Sequence, residues 1–264
     1  MLQRPIFYPG VHQPSDAGRL ERCMISINRL ERRVSDFVVH DCILDSGAFT
    51  RISTGREHIP EKDYVRHIER WAMCGNLLTA VSQDYMCEPF ILRKTGLSVA
   101  GHQAMTTARY RTIRELLTPS IHLMPVLQGY KPRDYVEHIR QYGVLLQPGE
   151  WVGVGSVCKR NASVHEIEWV LDAIRRERPD LRLHGFGLKM TALQSHRVNE
   201  ALFSCDSMAW SFAARREGRN QNDIEEAIKY AERVASIPLQ LNHWPSVLPL
   251  WERSDASEPL HSQV

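Results

Sequence analysis

Short apolar runs alternate along this chain with longer stretches in which apolar residues recur at helical spacing. The runs are rich in Val, Ile, Leu and Phe, as is typical of strands buried on both faces of a parallel sheet. About eight of them can be counted, at residues 6–10, 23–27, 40–47, 76–84, 122–129, 150–156, 181–187 and 202–207. Eight strands with helices between them predict an α/β fold, a single-domain (β/α)8 TIM barrel, rather than an open doubly wound sheet.

Five of the intervening stretches have the periodicity of helices. They cover residues 61–74, 98–117, 132–142, 164–177 and 222–236. Asn220 or Asn222 is placed to cap the last helix, and Ser163 to cap the one before it. We assign residues 1–253 to the barrel and residues 254–264, which are mostly polar, to a C-terminal tail.

Polar or glycine residues stand at the C-terminal end of nearly every predicted strand. A buried strand should be apolar throughout, and barrel enzymes build their active sites at this rim, so the pattern predicts a site there. The residues are Asp45, Asp84, Gln128, Gly153, Gly155, His184, Gly185, Gly187 and Asp206. Each has a structural alternative, because an Asp before Ser-Gly also forms turns and a lone His is also typical of a core.

Two carboxylates on different strands of one rim can face each other across a pocket. Asp45 and Asp206 are the pair that we expect to do so. Such a pair suits chemistry at the anomeric carbon of a sugar, where one group attacks and the other moves the proton of the leaving group. Asp84 and Gln128 then offer the acceptors and donors that the Watson–Crick edge of a purine requires.

The composition is that of a globular protein, with 43% hydrophobic and 24% charged residues. No window reaches the roughly 18 uninterrupted apolar residues of a membrane span, and the first residues lack the apolar region of a signal peptide. We therefore expect a cytoplasmic protein without a membrane partner. Its six cysteines are scattered, without metal-ligand spacing, which predicts reduced thiols and no bound metal.

The net charge of +2 neither supports nor excludes a nucleic-acid partner. Basic residues gather in two short segments, 157–160 and 214–219, each of which follows an apolar run. The candidates for phosphate contacts are Lys159, Arg160, Arg215, Arg216 and Arg219. An ordinary solvated surface accounts for either segment equally well.

Six motifs resemble those of the tRNA-guanine transglycosylase superfamily, in the same order along the chain. Residues 43–53, ILDSGAFTRIS, resemble its D-S-G-G-F/Y signature, with Ala48 in place of the second glycine. The others are SQD at 82–84, PVLQG at 125–129, GVGS at 153–156, HGFG at 184–187 and SCDSMAWSFAARREGR at 204–219.

The resemblance implies a role for each matched residue. Asp206 is the covalent nucleophile, Asp45 is the general acid/base, and no cofactor is required. The implied base-binding set is Asp84, Gln128, Gly153, Gly155, Phe49, Ser46, His184 and Gly185. The tRNA enzymes of the superfamily carry a zinc site of cysteines and a histidine after the nucleophile, and no such motif follows Asp206 here, so we expect neither that subdomain nor its metal.

Residues 7–18 and 83–103 look more like the compact branch of the superfamily that contains DNA 7-deazaguanine transglycosylases. The resemblance therefore implies that guanine in DNA is exchanged for 7-cyano-7-deazaguanine, with DNA a better candidate than tRNA. A homodimer or partner proteins stay open. So do three other functions: the same chemistry on tRNA or a free nucleoside, a non-catalytic nucleic-acid-binding subunit, and a barrel hydrolase that uses the same carboxylates on another sugar.

Overall fold

The computed structural model describes residues 4–158 and 163–240. The strands in these ranges are all parallel and belong to one sheet. They are β1 (Ile6–Val11), β2 (Arg22–Ser26), β3 (Asp41–Asp45), β4 (Asn76–Val81), β5 (Leu123–Met124), β6 (Val126–Leu127), β7 (Trp151–Val154), β8 (Arg182–Gly185) and β9 (Ser204–Ser207). The order in the sheet is β5-β4-β3-β2-β1-β9-β8-β7-β6.

Pro125 explains why nine strands make an eight-stranded barrel. It separates β5, which pairs with β4, from β6, which pairs with β7. The carbonyl oxygen of Met124 accepts the N–H of Ser82 at 2.9 Å on one side, and that of Pro125 accepts the N–H of Gly153 at 2.8 Å on the other. Residues 123–127 are thus one strand, broken where proline has no N–H to donate, and they close the sheet into the predicted barrel.

Helices cover the outside of the sheet. In the described ranges they are α1 (Ala48–Ser53), α2 (Glu61–Ala72), α3 (Pro89–Thr95), α4 (Val99–Leu116), α5 (Pro132–Tyr142), α6 (Val164–Glu177), α7 (Met190–Leu193), α8 (His196–Ala201), α9 (Ala209–Arg216) and α10 (Ile224–Ser236). The five predicted helices are confirmed as α2, α4, α5, α6 and α10. None of the helices described has the length and sustained apolar character that crossing a bilayer requires.

Two of the predicted helix caps differ from the structure. The helix α10 is capped by Asp223, whose carboxylate accepts the N–H of Glu225 at 3.0 Å, and not by Asn220 or Asn222. Asn220 instead accepts the N–H of Asn222 and shapes the turn before the cap. Ser163 does precede α6, but its hydroxyl makes no capping hydrogen bond.

The alternation of residues along each strand sends the rim carboxylates into the barrel. In β3, Leu44 belongs to the large core between the sheet and the helices, whereas Ile43 belongs to a second cluster with Tyr8 and Met24. Successive side chains of a strand point to opposite faces, so Asp45 shares the inward face of Ile43. This second cluster fills the barrel interior and forms the floor beneath the site.

Candidate active site

A cavity of about 730 Å³ lies at the carboxyl ends of the strands. Its lining includes Asp45, Asp84, Gln128, Gly155 and Asp206, which the sequence analysis placed at the ends of five different strands. The volume falls within the range of small-molecule pockets, roughly 300–1,000 Å³. It is large enough for a purine base with part of its sugar.

Asp45 ends β3 on the inner face of the barrel. One carboxylate oxygen accepts the N–H of Gly47 at 3.0 Å, and Ser26, its register partner on β2, also hydrogen-bonds to it. Burial, together with the charge of Asp206, raises the pKa of Asp45 to about 6, against the lowering effect of these hydrogen bonds. Asp45 can therefore give or take a proton close to neutral pH.

Asp206 lies within β9 and is fixed by two donors. Its Oδ1 accepts the N–H of Gly187 at 2.9 Å and lies 3.3 Å from Nε2 of His184. The hydroxyl oxygen of Ser204 accepts the indole N–H of Trp151 at 2.8 Å. The same hydroxyl hydrogen-bonds to Nδ1 of His184 at 2.8 Å. With Ser204 donating to Nδ1, the proton of the imidazole sits on Nε2 and points at Asp206.

A carboxylate that hydrogen bonds hold in one position is a better nucleophile than a mobile one. Asp45 and Asp206 line the same cavity, and the charge of Asp206 raises the pKa of Asp45. The same cavity therefore holds one carboxylate surrounded by hydrogen-bond donors and one whose pKa is raised by burial.

Four further side chains form what we call the recognition network: Asp84, Gln128, Ser156 and Glu88. The Gln128 amide donates to Asp84 Oδ2, and Ser156 Oγ lies 2.8 Å from Gln128 Oε1 and 3.0 Å from Glu88 Oε2. All four line the cavity. Burial raises the pKa of Asp84 to about 7, and the nearby charges of Asp45 and Glu88 act in the same direction.

The family model of DpdA, described as DeoxyPurine in DNA protein A, matches residues 3–260. The chain belongs to the DpdA family. Membership implies a transglycosylase-type enzyme that acts in the 7-deazaguanine modification of DNA. No curated protein shows significant similarity to the chain.

The glycines predicted at the rim of this DpdA-family protein have different surroundings. A Cβ on Gly155 would lie 2.1 Å from Nε2 of Gln128, so this glycine makes room for the amide. Gly153 and Gly185 are absent from the cavity lining. A Cβ on the first would lie 2.3 Å from the Phe186 ring and one on the second 2.6 Å from Leu188, so both glycines allow close packing.

Of the other predicted base-binding residues, some line the cavity and some are buried outside it. Phe49 lines the cavity and is 38% exposed, as expected for a ring that can stack on a base. His184 is buried behind Asp206, which it orients, and does not line the cavity. Ser46 is buried, and its hydroxyl accepts the N–H of Ala48 at the start of α1.

The predicted phosphate-binding residues are only partly gathered at the site. Arg215 lines the cavity, with its guanidinium 5.4 Å from the ring centre of Phe212, and Arg216 is exposed at the end of the same helix. Arg219 is paired with Glu217 and Glu226. Lys159 and Arg160 lie outside the described residues.

Several lining residues were not found from the sequence, among them Ser26, Arg29, Arg56, Glu88 and Phe212. Ser26 is the last residue of β2, so the pattern of polar residues at strand ends could have found it. Glu88 lies seven positions after the end of β4, just before Pro89 and α3, where no periodicity marks it. In residues 4–158 and 163–240, no three His, Cys, Asp or Glu side chains are arranged to hold a metal ion.

Proposed function

We propose that this protein exchanges guanine in DNA for 7-cyano-7-deazaguanine, through a covalent intermediate between Asp206 and the sugar. The observation that supports the proposal is that Asp206 and Asp45 line one cavity in different surroundings, since hydrogen bonds hold Asp206 and burial raises the pKa of Asp45. Family membership supports DNA and a 7-deazaguanine base as the substrates. The incoming base and the attacking residue are our own assignments.

The first half of the reaction removes guanine. The base is flipped out of the stack, because a carboxylate inside the barrel cannot reach a sugar within a duplex. Asp206 attacks C1′, and the bond between C1′ and guanine N9 breaks. The electron pair of that bond stays on guanine, to which Asp45 donates its proton. The products are free guanine and a covalent ester of Asp206.

The second half inserts the new base. Once guanine has left, 7-cyano-7-deazaguanine occupies the same pocket. Ionised Asp45 takes the proton from its N9, and N9 attacks C1′ as the bond to Asp206 breaks. Two displacements at one carbon give retention of configuration. At the end Asp206 is again a free carboxylate and Asp45 is again protonated. No ATP or redox cofactor enters this scheme.

Asp84 and Gln128 are suited to hold the base during both halves. A carboxylate accepts the N1–H and amino group of a guanine-type base, and an amide N–H donates to its carbonyl oxygen. Met24, Val81 and Phe186 supply the apolar walls of the cavity. The incoming and outgoing bases share the same edge, so one pocket serves both.

Substitution of Gly155 tests the part that Gln128 has in base binding. Gly155→Ala places a methyl group against the Gln128 amide, and we expect the KM for the free base to rise about tenfold or more because a buried hydrogen bond is displaced. Gly101→Ala is the matched control, since the nearest atom to its Cβ would be 3.5 Å away, in ordinary contact. Equal KM values in the two variants would contradict this role.

The mouth of the cavity has the character of a surface for unstacked nucleic acid. Arg29, Arg56 and Arg215 line it together with Phe49 and Phe212, which are 38% and 50% exposed. Exposed aromatic rings stack on bases, and arginines pair with phosphates. The strand next to the flipped nucleotide is the part of the DNA that we place here.

We expect Arg215→Ala to weaken DNA binding and to lower the slope of log K against log salt by about one, the change for a single lost phosphate contact. Arg176→Ala is the control, because Arg176 is exposed at the end of α6, pairs with Asp172 and does not line the cavity. Binding isotherms at several salt concentrations measure both slopes. Parallel slopes for the two variants would argue against a phosphate contact at Arg215.

The proposed reaction is tested directly by mass spectrometry of nucleosides. The protein is incubated with guanine-containing DNA and 7-cyano-7-deazaguanine, and in parallel with tRNA. We expect the modified deoxynucleoside and an equal amount of free guanine from the DNA sample. Modification of tRNA alone would move the activity to RNA, and release of guanine without insertion would indicate a hydrolase.

A further inference from the structure

Ser156 lies between two oxygen atoms in the recognition network. Its Oγ is within hydrogen-bond distance of Gln128 Oε1 and of Glu88 Oε2, and it also accepts the N–H of Cys87 at 3.0 Å. A hydroxyl group has one proton and can donate to only one of the two oxygens, whatever else it contacts. The other contact is a hydrogen bond only if its partner supplies a proton.

Two arrangements satisfy these contacts. In the first, Glu88 is a neutral acid that donates to Ser156, Ser156 donates to the Gln128 carbonyl, and the Gln128 amide donates to ionised Asp84. In the second, the Gln128 amide is turned over, Asp84 is the neutral acid, and Ser156 donates to ionised Glu88. In both arrangements the two carboxyl groups share one proton.

The surroundings favour placing that proton on Glu88. Its Oε1 is buried without a hydrogen-bond partner, which costs more for an ionised oxygen than for a neutral one. The observed contacts agree with this placement, because the Gln128 amide donates to Asp84 Oδ2 and its carbonyl oxygen faces Ser156, which leaves Glu88 to supply the remaining proton. The first arrangement is therefore the more stable one.

Two ionisable side chains near Glu88 carry no charge that could stabilise its ionised form. Asp84, Cys87 and His102 are among the ionisable groups that the charge of Glu88 affects. Burial lowers the pKa of His102 and raises that of Cys87, so both are neutral near neutral pH. The charge of Asp84 acts against a second negative charge at Glu88.

We propose that Glu88 is a positioning residue for base selection, which as a neutral acid holds the Gln128 amide, through Ser156, with its N–H groups toward Asp84 and the base. This inference rests on the proposed function. An amide donor beside a carboxylate acceptor complements the carbonyl and N1–H of a 6-oxopurine. The turned-over amide beside a neutral Asp84 would instead complement the amino group and bare N1 of a 6-aminopurine.

Three variants test the role of Glu88. Glu88→Gln keeps a donor to Ser156, Glu88→Met keeps the size of the side chain without a donor, and Ser156→Gly removes the relay. Ser156 has φ 57°, a conformation that glycine adopts without strain, so the last variant retains the fold. Glu21→Gln, at a residue whose side chain is 92% exposed, is the matched control.

The readout is the preference for 7-cyano-7-deazaguanine over its 6-amino counterpart, in base exchange and in calorimetric binding of the free bases. We expect Glu88→Met and Ser156→Gly to lose this preference by on the order of tenfold or more, and Glu88→Gln to keep it.

The outcomes separate this inference from the proposed function. A wild-type protein that exchanges no base counts against the proposed function, and free-base binding still measures the preference in that case. An unchanged preference in Glu88→Met or Ser156→Gly would overturn the inference alone. So would a loss in Glu88→Gln as large as that in Glu88→Met.

Discussion

Asp206→Asn lowers the rate of base exchange by at least about 10³-fold, the scale of loss expected when a covalent nucleophile is removed. The amide has nearly the shape of the carboxylate and still accepts the N–H of Gly187, so the cavity is retained. What it lacks is the negative charge that attacks C1′. The measurement is single-turnover release of guanine from DNA.

The matched control for this variant is Asp41→Asn, at the opposite end of the barrel. Asp41 begins β3 and accepts an amide hydrogen bond from Asn76 at 2.7 Å, far along the strand from the cavity. We expect guanine release at the wild-type rate in this control and unchanged thermal unfolding in both variants. Guanine release by Asp206→Asn at the rate of the control would exclude Asp206 as the nucleophile.

Asp45→Asn reduces the same rate by about 10²–10⁴-fold, the usual contribution of a general acid or base. The rate of guanine release is also expected to depend on pH. Burial raises the pKa of Asp45 to about 6, so the proton needed by the leaving guanine is present below this pH and is lost as the pH rises through it. The wild-type rate of guanine release therefore falls above pH about 6, and the variant has no such decline.

This comparison is made at saturating DNA. The site then stays occupied, so an effect of Asp84 ionisation on binding does not alter the measured rate of guanine release. The Asp45→Asn protein should unfold at a temperature no lower than the wild type, since its amide carries no charge to desolvate. An Asp45→Asn protein whose rate still declines above pH about 6 would assign the pH dependence to another group.

Ser26→Ala removes a hydrogen bond that lowers the pKa of Asp45. We expect this variant to shift the decline in the rate of guanine release to higher pH.

The barrel could be predicted from the sequence because its strands are buried on both faces and are therefore continuously apolar. Each of the eight predicted runs overlaps a strand, and residues 122–129 contain both β5 and β6. The short helices α1, α3, α7, α8 and α9 were missed, since four to eight residues are too few to show helical periodicity. The cap of α10 was missed because three polar residues in four positions can each serve as a cap.

The cavity could be predicted in outline for a related reason. A polar residue that interrupts an apolar run, such as Asp45 or Asp206, needs a functional or structural explanation. The carboxyl ends of barrel strands meet at one rim, so such residues are expected to lie together there. Glycines are less informative, because Gly153 and Gly185 leave space for Phe186 and Leu188 and not for a ligand. Loop residues such as Glu88 reach the site through tertiary contacts that no local pattern encodes.

Intact-protein mass spectrometry after incubation with DNA, in the absence of any incoming base, tests the central assignment most directly. With no second base to displace it, the sugar should remain on the enzyme. We predict a protein that carries the mass of the DNA strand, with the modified peptide containing Asp206. Base exchange that proceeds without such an adduct, or an adduct on a peptide without Asp206, would contradict it.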